Sequence, residues 1–100
     1  MLTIVESKTG SRPAFRCDFC GKEIDTADSG NCLWHHGEDI PSITYLHKGG
    51  CTVAYEDANG TFDACIAIDE FMVYLLYSVK MSDDALRQAR IRARALSAFK

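Results

Sequence analysis

Cys17-Asp18-Phe19-Cys20-Gly21-Lys22 and, further on, His47-Lys48-Gly49-Gly50-Cys51 are the stretches that decide how this chain folds. In the first, two thiols stand two residues apart and a glycine follows at once. That spacing lets both sulfurs reach one ion from a tight turn, with Gly21 free to take the backbone conformation such a turn needs. In the second, His47 can end a strand while Cys51 sits in the first turn of a helix, and Gly49-Gly50 lets the chain bend between them. The helix dipole favours a thiolate at that position. Together the pairs supply the four nitrogen and sulfur donors that a tetrahedral zinc ion takes, so Cys17, Cys20, His47 and Cys51 are the expected ligands of one zinc. Cys32 with His35 or His36 is a competing second pair. A Cys-x-x-Cys pair also occurs in redox proteins, but there it opens a helix within a βαβ pattern, which does not surround it here.

Between and around these stretches the residues read as strands and short helices. Asn31–His35 is a strand, with Cys32 and Trp34 on one face and Leu33 and His35 on the other. Gly37–Pro41 is a turn, and Ile43–His47 is a second strand that can pair with the first. A short helix starts near Gly50 and stops at Asn59-Gly60. Leu2–Val5 is a short strand, Ser7–Pro13 reads as a loop, and disorder is expected only in the first dozen residues and at the extreme C-terminus.

Cys17-Asp18-Phe19-Cys20-Gly21-Lys22-Glu23-Ile24, a strand bearing Trp34, and Tyr45-Leu46-His47-Lys48 leading to Cys51 resemble a treble-clef zinc finger. The first half is similar to the opening of a LIM-type zinc module. The resemblance covers residues 14–58. It implies a zinc knuckle and hairpin supplying one ligand pair and a helix start supplying the rest. Related patterns often place two residues between the final His and Cys, and three stand here. The resemblance implies zinc and no particular activity.

The remainder reads as two helices. Thr61 or Asp63 can cap the first, whose Ile68, Phe71, Met72, Leu75 and Val79 recur at helical spacing. Tyr74, Leu76 and Tyr77 widen that apolar surface, so this helix either centres the core or faces another chain. Cys65, early in it, is expected as a small buried hydrophobe. Ser82 caps a last helix from Asp83 to Phe99, with Asp83 and Asp84 in its first turn. Leu86, Ala89, Ala93 and Leu96 form its apolar stripe, and Arg87, Arg90 and Arg94 an adjacent basic one. The fold class is α+β: a zinc-binding β-hairpin module followed by two or three packed helices, within a single domain over residues 1–100.

Composition narrows the function. The chain has 100 residues, 47% hydrophobic and 25% charged, which is ordinary for one globular domain. No stretch approaches the ~20 apolar residues of a membrane span, and no secretory signal opens the chain, so a cytoplasmic location is expected. Five cysteines, an odd number, do not suit a closed disulfide framework. The net charge is −3, but residues 83–100 carry five Arg or Lys against Asp83 and Asp84, +3, which leaves −6 for the rest. A small zinc-stabilised binding or adaptor protein, with a protein partner or a second copy, is the leading expectation. Nucleic-acid binding through Arg87, Arg90 and Arg94 is the alternative. A metal-dependent nuclease would need catalytic residues that only His35 and His36 could supply.

Overall fold

The structure, a computed structural model, describes residues 1–97. In chain order its elements are β1 (Leu2–Ser7), β2 (Gly10–Phe15), a single 3-10 turn at Ala27–Ser29, β3 (Gly30–Trp34), β4 (Thr44–His47), α1 (Gly50–Asn59), β5 (Ala64–Ala67), α2 (Ile68–Ser78) and α3 (Asp83–Ser97). Among the described residues, two small antiparallel sheets and three helices make an α+β fold.

The first dozen residues are not a disordered segment, and Ser7–Pro13 is not a loop. β1 and β2 pair as a hairpin, from Leu2 opposite Phe15 to Ser7 opposite Gly10. The two-residue connection Lys8-Thr9 carries none of the Asn-Gly signals that usually reveal such a turn. Pro13 lies opposite Ile4. The Arg16 N–H bonds the Met1 carbonyl at 2.8 Å, and counting along the ladder from there puts Pro13 in a non-hydrogen-bonded pair. A missing N–H costs nothing at such a position.

The second sheet has the order β4-β3-β5, antiparallel throughout. The expected pairing of the Trp34 and Tyr45 segments is present, with Cys32 opposite Tyr45. The third strand is a correction. Residues 64–67 are not the first turn of a helix capped by Thr61 or Asp63. They extend along the free edge of β3, with Cys32 opposite Ile66 and Leu33 opposite Cys65, and α2 begins only at Ile68. Sheet pairing here outweighs a weak local helical pattern. Asp63 instead accepts the His36 N–H at 2.8 Å, tying the end of β3 to the approach of β5. Cys65 therefore lies in a strand, and it is exposed rather than buried.

β3 is covered on both sides. Cys32 and Leu33 point to opposite faces, yet neither has any exposed surface. On the Cys32 face lie Tyr45, Ile24 and Ile68, with the Phe15 ring tilted against Tyr45 at 5.1 Å and Phe71 at 6.1 Å from Trp34. On the Leu33 face, α1 contributes Thr52, whose hydroxyl accepts from Asn31 Nδ2 at 3.3 Å. Tyr55, Phe62 and His35 stack there in turn. Each fully buried aliphatic side chain contributes about 1.5–3 kcal/mol, and those side chains all belong to residues 17–68.

The helical half departs from expectation. α2 does not centre the core: Ile68 is buried and Phe71 and Leu76 are half-buried, while Met72, Val73, Tyr74, Leu75, Tyr77 and Val79 are exposed. It ends in a Schellman turn, with Lys80 N–H bonded to the Tyr77 carbonyl and Met81 N–H to that of Leu76. Lys80 takes the left-handed conformation there, at φ 57°. Ser82 caps α3 as its sequence position implies, its Oγ accepting the Ala85 N–H at 3.1 Å. Leu86 and Ala89 are half-buried, but Ala93 and Leu96 are exposed. Arg87, Arg90 and Arg94 lie on exposed parts of α3, where Arg87 bonds Asp84 at 3.2 Å. Phe99, the expected end of this helix, lies outside the described residues. The radius of gyration is 15.3 Å, against about 13 Å for a compact 100-residue domain. Among the described residues no helix is long and apolar enough to cross a membrane.

Candidate metal centre

Cys17 and Cys20 are presented by a closed knuckle. The Cys17 N–H bonds the Lys22 carbonyl at 2.9 Å, the Gly21 N–H bonds the Cys17 carbonyl at 2.9 Å, and Arg16 bridges to Glu23 beyond. Gly21 makes this turn possible, because it sits at φ 76°, where a side chain would be strained. The Arg12 guanidinium forks onto both Glu23 carboxylate oxygens at 2.8 and 2.9 Å, fastening β2 to the far side of the knuckle. Asp18 fastens the knuckle to the second sheet. Its N–H bonds the Tyr45 carbonyl at 2.7 Å, and its Oδ2 accepts the Tyr45 N–H at 2.8 Å. Its other oxygen lies 3.0 Å from the amino group of Met1.

His47 and Cys51 come from the end of β4 and the first turn of α1. Gly49, at φ 76°, makes the reversal between them. Thr52 locks the corner: its hydroxyl donates to the His47 carbonyl at 2.7 Å. His47 Nε2 donates to the Glu23 carbonyl at 3.2 Å. In the neutral ring that bond places the proton on Nε2, and Nδ1 faces the thiols, 3.4 Å from Cys20 Sγ and 3.8 Å from Cys51 Sγ. Such a second contact on a ligating histidine commonly fixes both its tautomer and its orientation.

One donor atom from each of Cys17, Cys20, His47 and Cys51 lies within 4.8 Å of all the others, and together they can hold a metal ion. Bonds of about 2.3 Å to sulfur and 2.0–2.1 Å to nitrogen place tetrahedral donors about 3.6–3.8 Å apart. The two histidine–thiol distances, 3.4 and 3.8 Å, lie on either side of the ~3.6 Å that a nitrogen–sulfur pair takes. Cys17 is buried, Cys20 is exposed, and the other two are half-buried, so the cluster sits at the rim of the core. Burial opposes ionisation of Cys17, but bonds from the Cys20, His47 and Phe19 backbones and from the His47 side chain outweigh it and hold the thiol down to about 6. Burial, together with the neighbouring Cys17 and Cys20, pushes Cys51 up to about 11. Each thiolate thus makes the next harder to form, a donor set whose accumulated negative charge a cation neutralises.

The sequence-derived set of four is therefore brought together. The competing pair is not. Burial pushes the Cys32 thiol up to about 12, inside the sheet. His35 stacks on Phe62 at 4.6 Å with Nδ1 3.7 Å from Asp63, and His36 is exposed. Among the described residues, the cluster of Cys17, Cys20, His47 and Cys51 is the one group of three or more such side chains placed to hold a metal.

Three supports were not read from the sequence. The Glu23 carbonyl has no residue-specific signature, since every residue carries one. Asp18 and Thr52 do have a signal: each is a small polar residue adjacent to a ligand cysteine, of the kind that bonds local backbone. No family model matches the chain, and neither a curated protein nor a solved structure does.

Proposed function

We propose that Cys17, Cys20, His47 and Cys51 hold one zinc ion in a closed, structural site, and that the protein is a binding or adaptor module whose active surface is the helical arm, α2 and α3. The convergence of three thiols and one oriented imidazole carries the zinc reading. Soft sulfur donors with imidazole in a tetrahedron suit zinc, and four protein ligands leave no position for a reacting water. Bound zinc would supply cohesion, cross-linking the knuckle, the β-hairpin and the start of α1. This succession of knuckle, hairpin and helix start is what supports the treble-clef resemblance. The adaptor reading follows from the division of the molecule: burial is concentrated in residues 17–68, while most apolar residues of α2 beyond Phe71 are left at the surface.

Metal analysis of the purified protein tests the site, alongside Cys17→Ser and Cys51→Ser. One zinc per chain is expected, with loss of zinc and of cooperative unfolding in both variants. A metal-free protein that unfolds cooperatively, or full zinc content in both variants, overturns the assignment. Affinity capture with the intact chain and with the arm variant described below tests the adaptor reading.

A further inference from the structure

We infer that the partner of the helical arm is a second copy of this chain, joined through α2 and α3 in a two-fold-symmetric dimer. The inference rests on the reading of the arm as the binding surface and is independent of the metal.

The first observation is area. Met72, Val73, Tyr74, Leu75, Tyr77 and Val79 are between 46% and 78% exposed. At about 150–200 Å² for each such residue when free, that is roughly 600 Å² on α2. Ile91 and Leu96 of α3 are 59% and 75% exposed and raise the total to about 800 Å², the share each partner brings to a standard interface.

The second observation is distribution. Residues 72–75 run right round α2, and a helix that is apolar all round is normally buried all round. One flat contact cannot cover it. Two copies of α2 and α3 interleaved as a four-helix bundle can, and they also cover Ala93 and Leu96, which are exposed on α3.

The third observation is charge. Asp69 and Glu70 stand exposed at the first turn of α2, and Tyr74 and Tyr77 stand exposed toward its end. Residues 68–79 contain those two acids and no Lys or Arg, while α3 carries Arg90 and Arg92 on exposed positions. One chain therefore bears an acidic first turn, an apolar middle and a basic helix. That is a self-complementary set, which a two-fold axis satisfies twice with the same residues.

The test is the molar mass of the zinc-loaded full chain by sedimentation equilibrium, for the wild type, Tyr77→Glu, Asp69→Arg and Asp69→Arg combined with Arg90→Glu. The expected result is twice the 11.1 kDa chain mass at micromolar concentration. Tyr77→Glu should raise the dissociation constant at least about 100-fold, because the charge enters the interface from both copies. Asp69→Arg should weaken association, and the added Arg90→Glu should restore it. Zinc content and circular dichroism verify folding, and Ile40→Glu, at an exposed position on the β3–β4 loop, should leave the dimer intact. A monomeric wild type, or a dimer unaffected by Tyr77→Glu, overturns the inference. A monomer whose arm binds a different protein or an anionic vesicle, lost in Tyr77→Glu, also overturns it. A different protein on the arm would leave the adaptor reading standing, whereas an arm that binds nothing would end both.

Discussion

Asp18 is the residue through which the knuckle is registered on the sheet, and replacing it separates that role from ligation. In Asp18→Ala the Tyr45 N–H loses an acceptor at 2.8 Å. A hydrogen bond to a charged group contributes about 1.5–3 kcal/mol. The exposed pairing with the Met1 amino group adds little, and the backbone bond from the Asp18 N–H to Tyr45 is retained. A loss of about 2 kcal/mol is therefore expected, with all four donors in place. If metal binding and folding are one event, the loss passes into apparent metal affinity, weakening it up to about 30-fold. Urea unfolding of the metal-saturated protein gives the first quantity and chelator competition the second. Asp18→Asn keeps an amide oxygen as acceptor and should lose less than half as much. A change below about 0.5 kcal/mol in Asp18→Ala, or an Asn variant as damaged as the Ala variant, would refute the clamp.

Leu33→Ala empties a site with no exposed surface in the central strand, so it should cost about 3–5 kcal/mol in urea unfolding, against under about 0.5 for Ile4→Ala on the outer hairpin. Lys80→Gly should stabilise the chain by about 1 kcal/mol, because the left-handed position at φ 57° suits glycine better; an unchanged or lower urea midpoint would contradict the Schellman turn. The Asp63 carboxyl is held below its ordinary value first by the His36 N–H and then by the nearby histidines. Its folded value is thus lower than its unfolded one, so its stabilisation is full above the usual aspartate range and disappears as pH falls through the folded value. Carbon-detected NMR should place the Asp63 midpoint below that of an ordinary aspartate, with the His36 amide shift following the same curve.

The metal cluster was legible because ligation leaves a spacing in the sequence. Two cysteines two apart beside a glycine, and a His and Cys flanking two glycines, have few other uses. The β3–β4 hairpin and α1 were legible through alternation and through the stop at Asn59-Gly60. What failed depended on partners distant in sequence. Ala64-Cys65-Ile66-Ala67 has no strand signal strong enough to stand alone and is a strand because β3 offers it an edge. Lys8-Thr9 is a hairpin turn without turn-forming residues. α2 was read as the centre of the core because its residues are apolar, and apolarity reports that a surface is to be covered without reporting by which molecule. The pattern also allowed a face for another chain, and Tyr74 and Tyr77 stand exposed on that helix.

The strand order β4-β3-β5 has a consequence for how the chain can be cut or synthesised. All four donors lie within residues 17–51, yet the second edge of β3 is sealed only by residues 64–67. A fragment ending near Gly60 would keep a complete ligand set and still present the open backbone of Asn31–Trp34, with Leu33 beside it. Unsealed edges of this kind template strand addition between molecules. Such a fragment is expected to load metal and aggregate, and the same hazard attends the growing chain on the ribosome until Ala67 has emerged.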